Sequence, residues 1–144
     1  MLEVVEDKVK RAYDIMKSPV LVEDVSLIFV SMKALPGPLI KWFLESLGNE
    51  GLCKLFRENE KRDATAEVMF AFCDEEGVRV FSGKMDGSIA QIPKGEMGFG
   101  WGSIFILNGY SKTWAEMNDR EKHETSMRKI ALEKLTVFLE DYQK

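Results

Sequence analysis

The sequence of 144 residues is poor in the side chains that form covalent or metal cross-links. It contains two cysteines, Cys53 and Cys73, and one histidine, His123, which lies in a charged stretch. A disulfide framework or a zinc site needs more such residues at closer spacing, and a Ser-His-Asp or Cys-His triad is hard to build around this histidine. We therefore expect both thiols to fill the apolar core.

Long hydrophobic runs and a strong excess of one charge are also lacking. No apolar segment approaches the roughly 20 residues that cross a bilayer, and the first residues lack the basic and apolar regions of a secretory signal. Lys and Arg number 20 against 24 Asp and Glu, a net charge of −4, which would not recruit a nucleic-acid backbone. We expect a cytoplasmic protein that binds no membrane and no nucleic-acid polymer.

The composition is that of an ordinary globular protein, with 45% hydrophobic and 31% charged residues. Together with the length it predicts a single domain over residues 1–144. Apolar residues at helical spacing predict an amphipathic helix from Leu2 to Lys17. The apolar run from Val20 onward predicts a short buried strand that ends in two carboxylates, Glu23 and Asp24.

The rest of the chain alternates helical and extended patterns. An acidic turn between two extended runs predicts an antiparallel hairpin, and Asn118 with Glu121 forms a capping-box signature. The order of elements predicts an α/β domain with a mixed β-sheet flanked by helices. The remaining predicted elements are helices over 39–47 and 50–57, strands over 64–73 and 78–83, and a long last helix from the capping box onward.

The acidic pair Glu23-Asp24 is the first candidate site. Carboxylates at a strand end could hold a hard divalent cation such as Mg²⁺ and orient a water near a phosphate. Acidic dipeptides in this position also serve simply as helix or turn caps. Position alone leaves both interpretations open.

A glycine-rich aromatic loop around Phe99 and Trp101 is the second candidate. Such a loop could present a ring on which a base stacks, or it could be a tight turn with packed aromatics. It matches neither the dinucleotide-binding nor the P-loop fingerprint. Lys122, Ser126 and Arg128 follow on the first turns of the predicted last helix, where Lys122 and Ser126 share a face. Arg128 could donate to a purine carbonyl or a phosphate, and the alternative is a solvated basic face.

Taken in order, six segments of the chain resemble the serial motifs of the inosine triphosphate pyrophosphatases. The similarity runs over essentially all 144 residues and is nearest to archaeal members. It implies hydrolysis of ITP, XTP and dITP to the monophosphate and pyrophosphate, with Mg²⁺, by a homodimer. The six segments are 22–27, 35–43, 48–52, 99–105, 113–117 and 121–128.

The resemblance also implies roles for individual residues. Asp24 would hold the metal and activate the attacking water. Phe99 and Trp101 would line the base pocket, with Phe99 stacking on the base. Arg11 falls where the family has a phosphate-side Lys. The residues implied to contact the base and its neighbouring groups are Lys122, Ser126 and Arg128.

The chain departs from the family pattern at several places. The resemblance begins after the family's first strand and phosphate-gripping loop, so we expect a shortened, diverged fold with an open sheet edge that self-association covers. Gly102 stands in place of an Asp and Met127 in place of a His. These changes remove polar groups from the base pocket. The alternative function is therefore a non-enzymatic protein that uses the fold to bind a nucleotide or a protein.

Overall fold

The computed structural model describes residues 1–96 and 100–142. No helix in this described part is long and apolar enough to cross a membrane. The α/β class with a sheet flanked by helices is confirmed. The elements are α1 (Leu2–Met16), β1 (Val20–Phe29), β2 (Pro36–Gly37), α2 (Ile40–Cys53), β3 (Asp63–Asp74), β4 (Gly77–Ile89), β5 (Phe105–Leu107), α3 (Asp119–Glu124) and α4 (Met127–Tyr142).

The strands form one five-stranded sheet in the order β2-β1-β3-β4-β5. We expected parallel and antiparallel neighbours, but all four pairings in the described residues are antiparallel. The expected hairpin between β3 and β4 is confirmed and accounts for one of these pairings, since a tight turn can join only antiparallel strands. β2 pairs with β1 only at Leu27 and Ile28. Within the described residues, 20–26 therefore form an open edge of the sheet.

The two faces of the sheet carry separate cores. Odd-numbered residues of β1, such as Leu27 and Phe29, pack into a large core with α2 and α4. Even-numbered residues, such as Val22, pack with Val5 and Val9 of α1 in a smaller core. Alternation along a strand explains the division, because successive side chains point to opposite faces.

Both thiols are buried, as expected. Burial raises the pKa of Cys53 and of Cys73 above the ordinary value for a thiol. A raised pKa keeps a thiol protonated and unreactive at neutral pH. These cysteines therefore behave as apolar core residues.

Several element boundaries differ from those we predicted. β1 does not end at Asp24 but continues to Phe29, because the following residues enter the large core. β4 likewise continues beyond Gly83 to Ile89. The two helices predicted over 39–47 and 50–57 form one element, α2, which is kinked at Gly48, where φ is +64°.

The predicted long last helix is divided into α3 and α4. The capping box of Asn118 and Glu121 is confirmed, but it begins only the short helix α3. At Thr125 both the backbone N–H and Oγ1 donate to the carbonyl of Glu121, at 3.0 and 2.7 Å. A side chain that competes for a backbone carbonyl in this way favours a helix end. The helical pattern resumes at Met127.

Helix α4 lies very close to β4 at Gly83. A Cβ at this position would lie 2.0 Å from the Met127 carbonyl oxygen and 3.0 Å from the Ala131 nitrogen. No real side chain tolerates such contacts. The absence of a side chain at Gly83 thus sets the distance between the sheet and the first turns of α4.

The other end of α4 lies over the β3–β4 turn, where charged groups form a closed network. Arg79 donates to Asp74 Oδ1 at 3.1 Å and also pairs with Glu76. Burial pushes the pKa of Asp74 upward, but hydrogen bonds from Arg79, the Glu76 backbone and Tyr142 outweigh it and hold the pKa below the ordinary value. The guanidinium of Arg79 also lies 5.2 Å from the ring centroid of Phe138 on α4.

Candidate functional site

Two hollows lie beside the first turn of α4. The strand-side hollow, of about 370 Å³, is bounded by β1, α2 and the glycine-rich loop; its lining includes Glu23, Asp24, Ile40, Lys41, Trp101 and Arg128. A small cavity of about 60 Å³ is lined by residues of both hollows, Arg128 among them. The helix-side hollow, of about 340 Å³, is lined by Gly102, Trp114, Ala115, Lys122, Ser126, Met127 and Arg128.

The structure brings together most of the residues that the sequence singled out. Asp24 and Trp101 share the strand-side hollow, so the carboxylate and the ring do not lie on opposite surfaces. Lys122 and Ser126 share the helix-side hollow. Arg128 lines both hollows and the cavity between them. Phe99, the expected stacking residue, lies outside the described residues.

The two carboxylates of the acidic pair have different partners. Arg128 donates two hydrogen bonds to Oε1 of Glu23, from Nε at 2.9 Å and from Nη2 at 2.6 Å. Oδ1 of Asp24 accepts a hydrogen bond of 3.1 Å from the backbone N–H of Val25. Both residues lie in the middle of a strand, where neighbouring side chains point to opposite faces. Their side chains therefore leave the strand in opposite directions, although both residues line the strand-side hollow.

A cation that sequence reasoning missed lies next to this pair. Nζ of Lys8 on α1 donates to the carbonyl oxygen of Glu23 at 2.6 Å. Arg11, which the resemblance had selected, is paired instead with Asp7 at 2.8 Å; its side chain is 77% exposed and is not among the lining residues of either hollow. A helical wheel centred on the buried Val5 and neighbouring apolar residues puts Lys8 at the border of the sheet-facing side and Arg11 beyond it. That wheel is the signal that could have found Lys8.

Trp101 of the glycine-rich loop belongs to a packed aromatic cluster with Phe105 and Trp114. The ring centroids of Trp101 and Trp114 are 5.6 Å apart, and those of Phe105 and Trp114 are 4.6 Å apart. Trp101 is only 8% exposed and belongs to the large core. The ring of Trp101 therefore packs in the core and also lines the strand-side hollow. Trp114, which we had not singled out as a site residue, lines the helix-side hollow.

Side-chain and backbone hydrogen bonds fix the position of this loop. Nδ2 of Asn49, one residue after the kink of α2, donates to the carbonyl oxygen of Gly100 at 3.0 Å. The backbone N–H of Ala115 donates to the carbonyl oxygen of Gly102, also at 3.0 Å. The backbone of the loop is therefore anchored on both sides of Trp101.

Helix α3 places Lys122 beside the helix-side hollow. Nζ of Lys112 donates to both carboxylate oxygens of Glu121, at 2.6 and 2.7 Å, and these bonds lower the pKa of Glu121. Glu121 in turn caps α3 through Asn118. Lys122 and Ser126 do not share the face of one helix, because Ser126 lies between α3 and α4. Both nevertheless reach the same hollow.

The arrangement supplies the groups that a charged, partly aromatic ligand requires. Lys41 of α2 lines the strand-side hollow together with Asp24 and was not singled out from the sequence. Its pattern on an amphipathic helix is that of any exposed lysine, so only the fold reveals its position. The strand-side hollow is lined by Lys41 and by the carboxylates of Glu23, Asp24 and Glu45. The helix-side hollow is lined by a lysine and a hydroxyl group, and Arg128 lines both hollows.

The sequence pattern of the Ham1 family matches residues 1–138. The chain belongs to the Ham1 family. This Ham1 chain is 48% identical over 139 residues to an inosine triphosphate pyrophosphatase of Yarrowia lipolytica, with 95% of the chain and 73% of the relative covered. It is 46% identical over 134 residues to inosine triphosphate pyrophosphatase 2 of Trypanosoma cruzi, with 92% and 68% covered.

Solved structures agree with the Ham1 assignment. A nucleoside-triphosphatase, also described as a dITP/XTP pyrophosphatase, from Mycobacterium abscessus superposes with a TM-score of 0.79 at 27% identity, covering 92% of this chain and 72% of that one. A HAM1 protein from Coxiella burnetii gives a TM-score of 0.76 at 25% identity, with 95% and 75% covered. The fold described above is therefore the Ham1 fold over most of this chain.

Proposed function

We propose that this Ham1 chain is a nucleoside triphosphate pyrophosphatase that acts on deaminated purine nucleotides such as ITP, XTP and dITP. The products are the nucleoside monophosphate and pyrophosphate. The observation that carries the proposal is the pair of hollows on either side of Arg128, with a carboxylate in one and a lysine and hydroxyl in the other. Relatives that are 46–48% identical are named inosine triphosphate pyrophosphatases.

In this proposal the base occupies the helix-side hollow. Lys122 and the hydroxyl group of Ser126 donate hydrogen bonds, which suits the keto oxygen that deamination introduces. Trp114 provides an aromatic wall. The stacking role of Phe99 remains a prediction; stacking contributes about 1–3 kcal/mol per base where it occurs.

The phosphates occupy the strand-side hollow, where cations and a carboxylate have separate tasks. Lys41 lines this hollow and balances phosphate charge, and Lys8 lies beside it at the carbonyl of Glu23. Asp24 acts as the general base. Its Oδ1 accepts from the Val25 N–H, so Oδ2 takes the proton of the attacking water. The water oxygen bonds to the α-phosphorus, the bond from that phosphorus to the α–β bridging oxygen breaks, and pyrophosphate leaves.

Asp24 also fits a magnesium ion, because such sites commonly use one or two carboxylates together with substrate phosphates. Within the described residues no group of three acidic, histidine or cysteine side chains could hold a metal by itself. Glu23 fits less well, since its Oε1 already accepts two hydrogen bonds from Arg128. When bound, the ion neutralises charge on the phosphate oxygens.

We also propose a cytoplasmic homodimer. Three apolar side chains lie exposed near β2 and the start of α2: Leu35 at 50%, Leu39 at 47% and Trp42 at 62%. Contiguous exposed apolar side chains favour contact with another protein surface. Sedimentation of the purified chain tests the dimer, and a monomer at all concentrations would contradict it.

The test of the activity is pyrophosphate release from ITP, XTP and dITP in the presence of Mg²⁺, with ATP and GTP for comparison. Replacing Asp24→Asn removes the base and should lower the rate by about 10²–10³-fold, as the loss of one preorganised catalytic group does. Asp63→Asn is the matched control, because Asp63 is an exposed strand residue that is not among the lining residues of either hollow. Equal rates for Asp24→Asn and the parent would exclude this function for Asp24.

A second candidate function is nucleotide binding without hydrolysis. It is favoured by Gly102 and Met127, which line the helix-side hollow without contributing an acidic or imidazole side chain. Calorimetric titration with ITP, run beside the pyrophosphate assay, separates the two candidates. Binding without any product in the presence of Mg²⁺ would support this second function against the first.

A further inference from the structure

The ion pair between Glu23 and Arg128 joins two elements that are 105 residues apart in sequence. Glu23 lies on β1, and Arg128 lies in the first turn of α4. Each side chain is 34% exposed, so the pair is partly shielded from water. A planar guanidinium that donates twice to one oxygen is held in both position and orientation.

The position of Arg128 makes this orientation matter. It is the residue common to the linings of the helix-side hollow, the strand-side hollow and the cavity between them. A ligand that occupies both hollows must therefore lie next to the guanidinium of Arg128. A rotation of this side chain about its flexible stem would change the shape of both hollows.

Glu23 is directed toward Arg128 by its place in the strand. It shares the odd-numbered face of β1 with Val25 and Leu27, which belong to the same large core as Met127 and Ala131 of α4. Asp24, the next residue, belongs to the opposite set of positions. The two neighbouring carboxylates therefore serve different partners.

We propose that Glu23 is a positioning residue, which holds Arg128 in the orientation that a nucleotide needs, and not a ligand of the metal. This inference rests on the proposed function of the same site. It separates the tasks of the acidic pair: Asp24 acts on the reacting phosphate and Glu23 acts through Arg128.

The test is a double-mutant cycle with Glu23→Ala, Arg128→Ala and the double variant. The substrate is ITP with Mg²⁺, and KM, kcat and the half-saturating Mg²⁺ concentration are measured for each. Calorimetry with IMP gives binding in the absence of turnover. Glu23→Gln keeps the size and one acceptor oxygen, removes the charge and replaces the other oxygen with an NH2 donor.

We expect Glu23→Ala to raise KM for ITP about tenfold, with a smaller change in kcat and an unchanged Mg²⁺ requirement. In the Arg128→Ala background the same change should add less than about twofold, because the residue through which Glu23 acts is already gone. Glu23→Gln should fall between the parent and Glu23→Ala. The control is Arg79→Ala, which breaks the ion pair with the buried Asp74 on the β3–β4 hairpin; Arg79 is 30% exposed, is not among the lining residues of either hollow, and its loss should leave KM unchanged.

Three outcomes would overturn the inference alone. Additive effects of Glu23→Ala and Arg128→Ala would mean that Glu23 acts by another route, and a raised Mg²⁺ requirement would make it a metal ligand. A fall in thermal stability with KM and IMP binding unchanged would make the pair merely structural, which also contradicts the proposal. If the parent chain neither binds IMP nor hydrolyses ITP, the proposed function fails together with this inference.

Discussion

Helix α4 reaches two regions in which charged groups are arranged differently. At its C-terminal end, Asp74 is 3% exposed and is hydrogen-bonded to Arg79, and the aromatic rings of Phe138 and Tyr142 pack alongside. At its N-terminal end, the side chains of Lys41 and Lys122 border hollows that are large enough for a ligand. The first region satisfies its charges internally, whereas the second combines one internal pair, Glu23 with Arg128, with lysines that line a hollow.

The difference separates stability from recognition along one helix. Buried polar groups that are fully hydrogen-bonded make a region rigid, whereas charges that line a cavity have capacity for a partner outside the chain. Replacements near the β3–β4 turn should therefore change the free energy of unfolding, and replacements beside the hollows should change binding. The three predictions below test this division.

Gly83→Ala should have the largest effect, because it should change stability and binding together. The new Cβ would lie 2.0 Å from the Met127 carbonyl oxygen, so the first turns of α4 must move. Overpacking of this kind costs about 3 kcal/mol, and here the displaced turn also carries Arg128. We expect both the free energy of unfolding and the affinity for IMP to fall. Ser82→Ala is the neighbouring control, and a change in stability with full IMP affinity would contradict the prediction.

Phe138→Ala should lower the stability of the protein without changing substrate binding. Its ring lies 5.3 Å from the centroids of both Phe72 and Phe81, away from the hollows. Removing a half-buried ring should lower the free energy of unfolding by about 2 kcal/mol, below the usual range for fully buried Phe. KM for ITP should not change. Urea denaturation and the pyrophosphate assay check the two halves of the prediction, and a raised KM would show that the two ends of α4 are coupled.

Asp74→Asn should have the smallest effect at neutral pH and a characteristic pH dependence. Since the pKa of Asp74 is lower in the folded protein, its ionised form stabilises the fold above the unfolded pKa of about 3.9, and this stabilisation is lost as the pH falls through the folded value. The variant should be less stable at pH 7 and should lose less stability on acidification. Urea midpoints across the acid range measure this. Parallel curves for the variant and the parent would contradict it.

Local sequence signals predicted the elements whose boundaries are locally determined. The end of α1 was placed within one residue, and the β3–β4 hairpin and the capping box of α3 were found from turn and capping residues. The end of β1 was misplaced because an acidic pair was taken as a stop signal. The strand continues since Leu27 and Phe29 are needed in the core, and this requirement comes from tertiary packing.

The candidate site was predicted in the same uneven way. Residues embedded in recognisable motifs, such as Asp24 and Arg128, line the hollows. Lys41 was missed because exposed helix positions look alike in sequence and only packing shows which of them line a cavity, whereas Lys8 could have been found from the helical wheel of α1. Trp101 packs in the core and also lines a hollow, and the glycine-rich sequence of its loop did not predict that it would do both.

The hydrogen bond from Asn49 to Gly100 has a consequence for how the chain can vary. The donor follows a helix kink at Gly48, and the acceptor lies 51 residues later in the loop that carries Trp101. Inserting or deleting one residue in the preceding turns would rotate the donor by about 100° around the helix axis and release the loop. The position of the backbone at Gly100 thus depends on the length of α2.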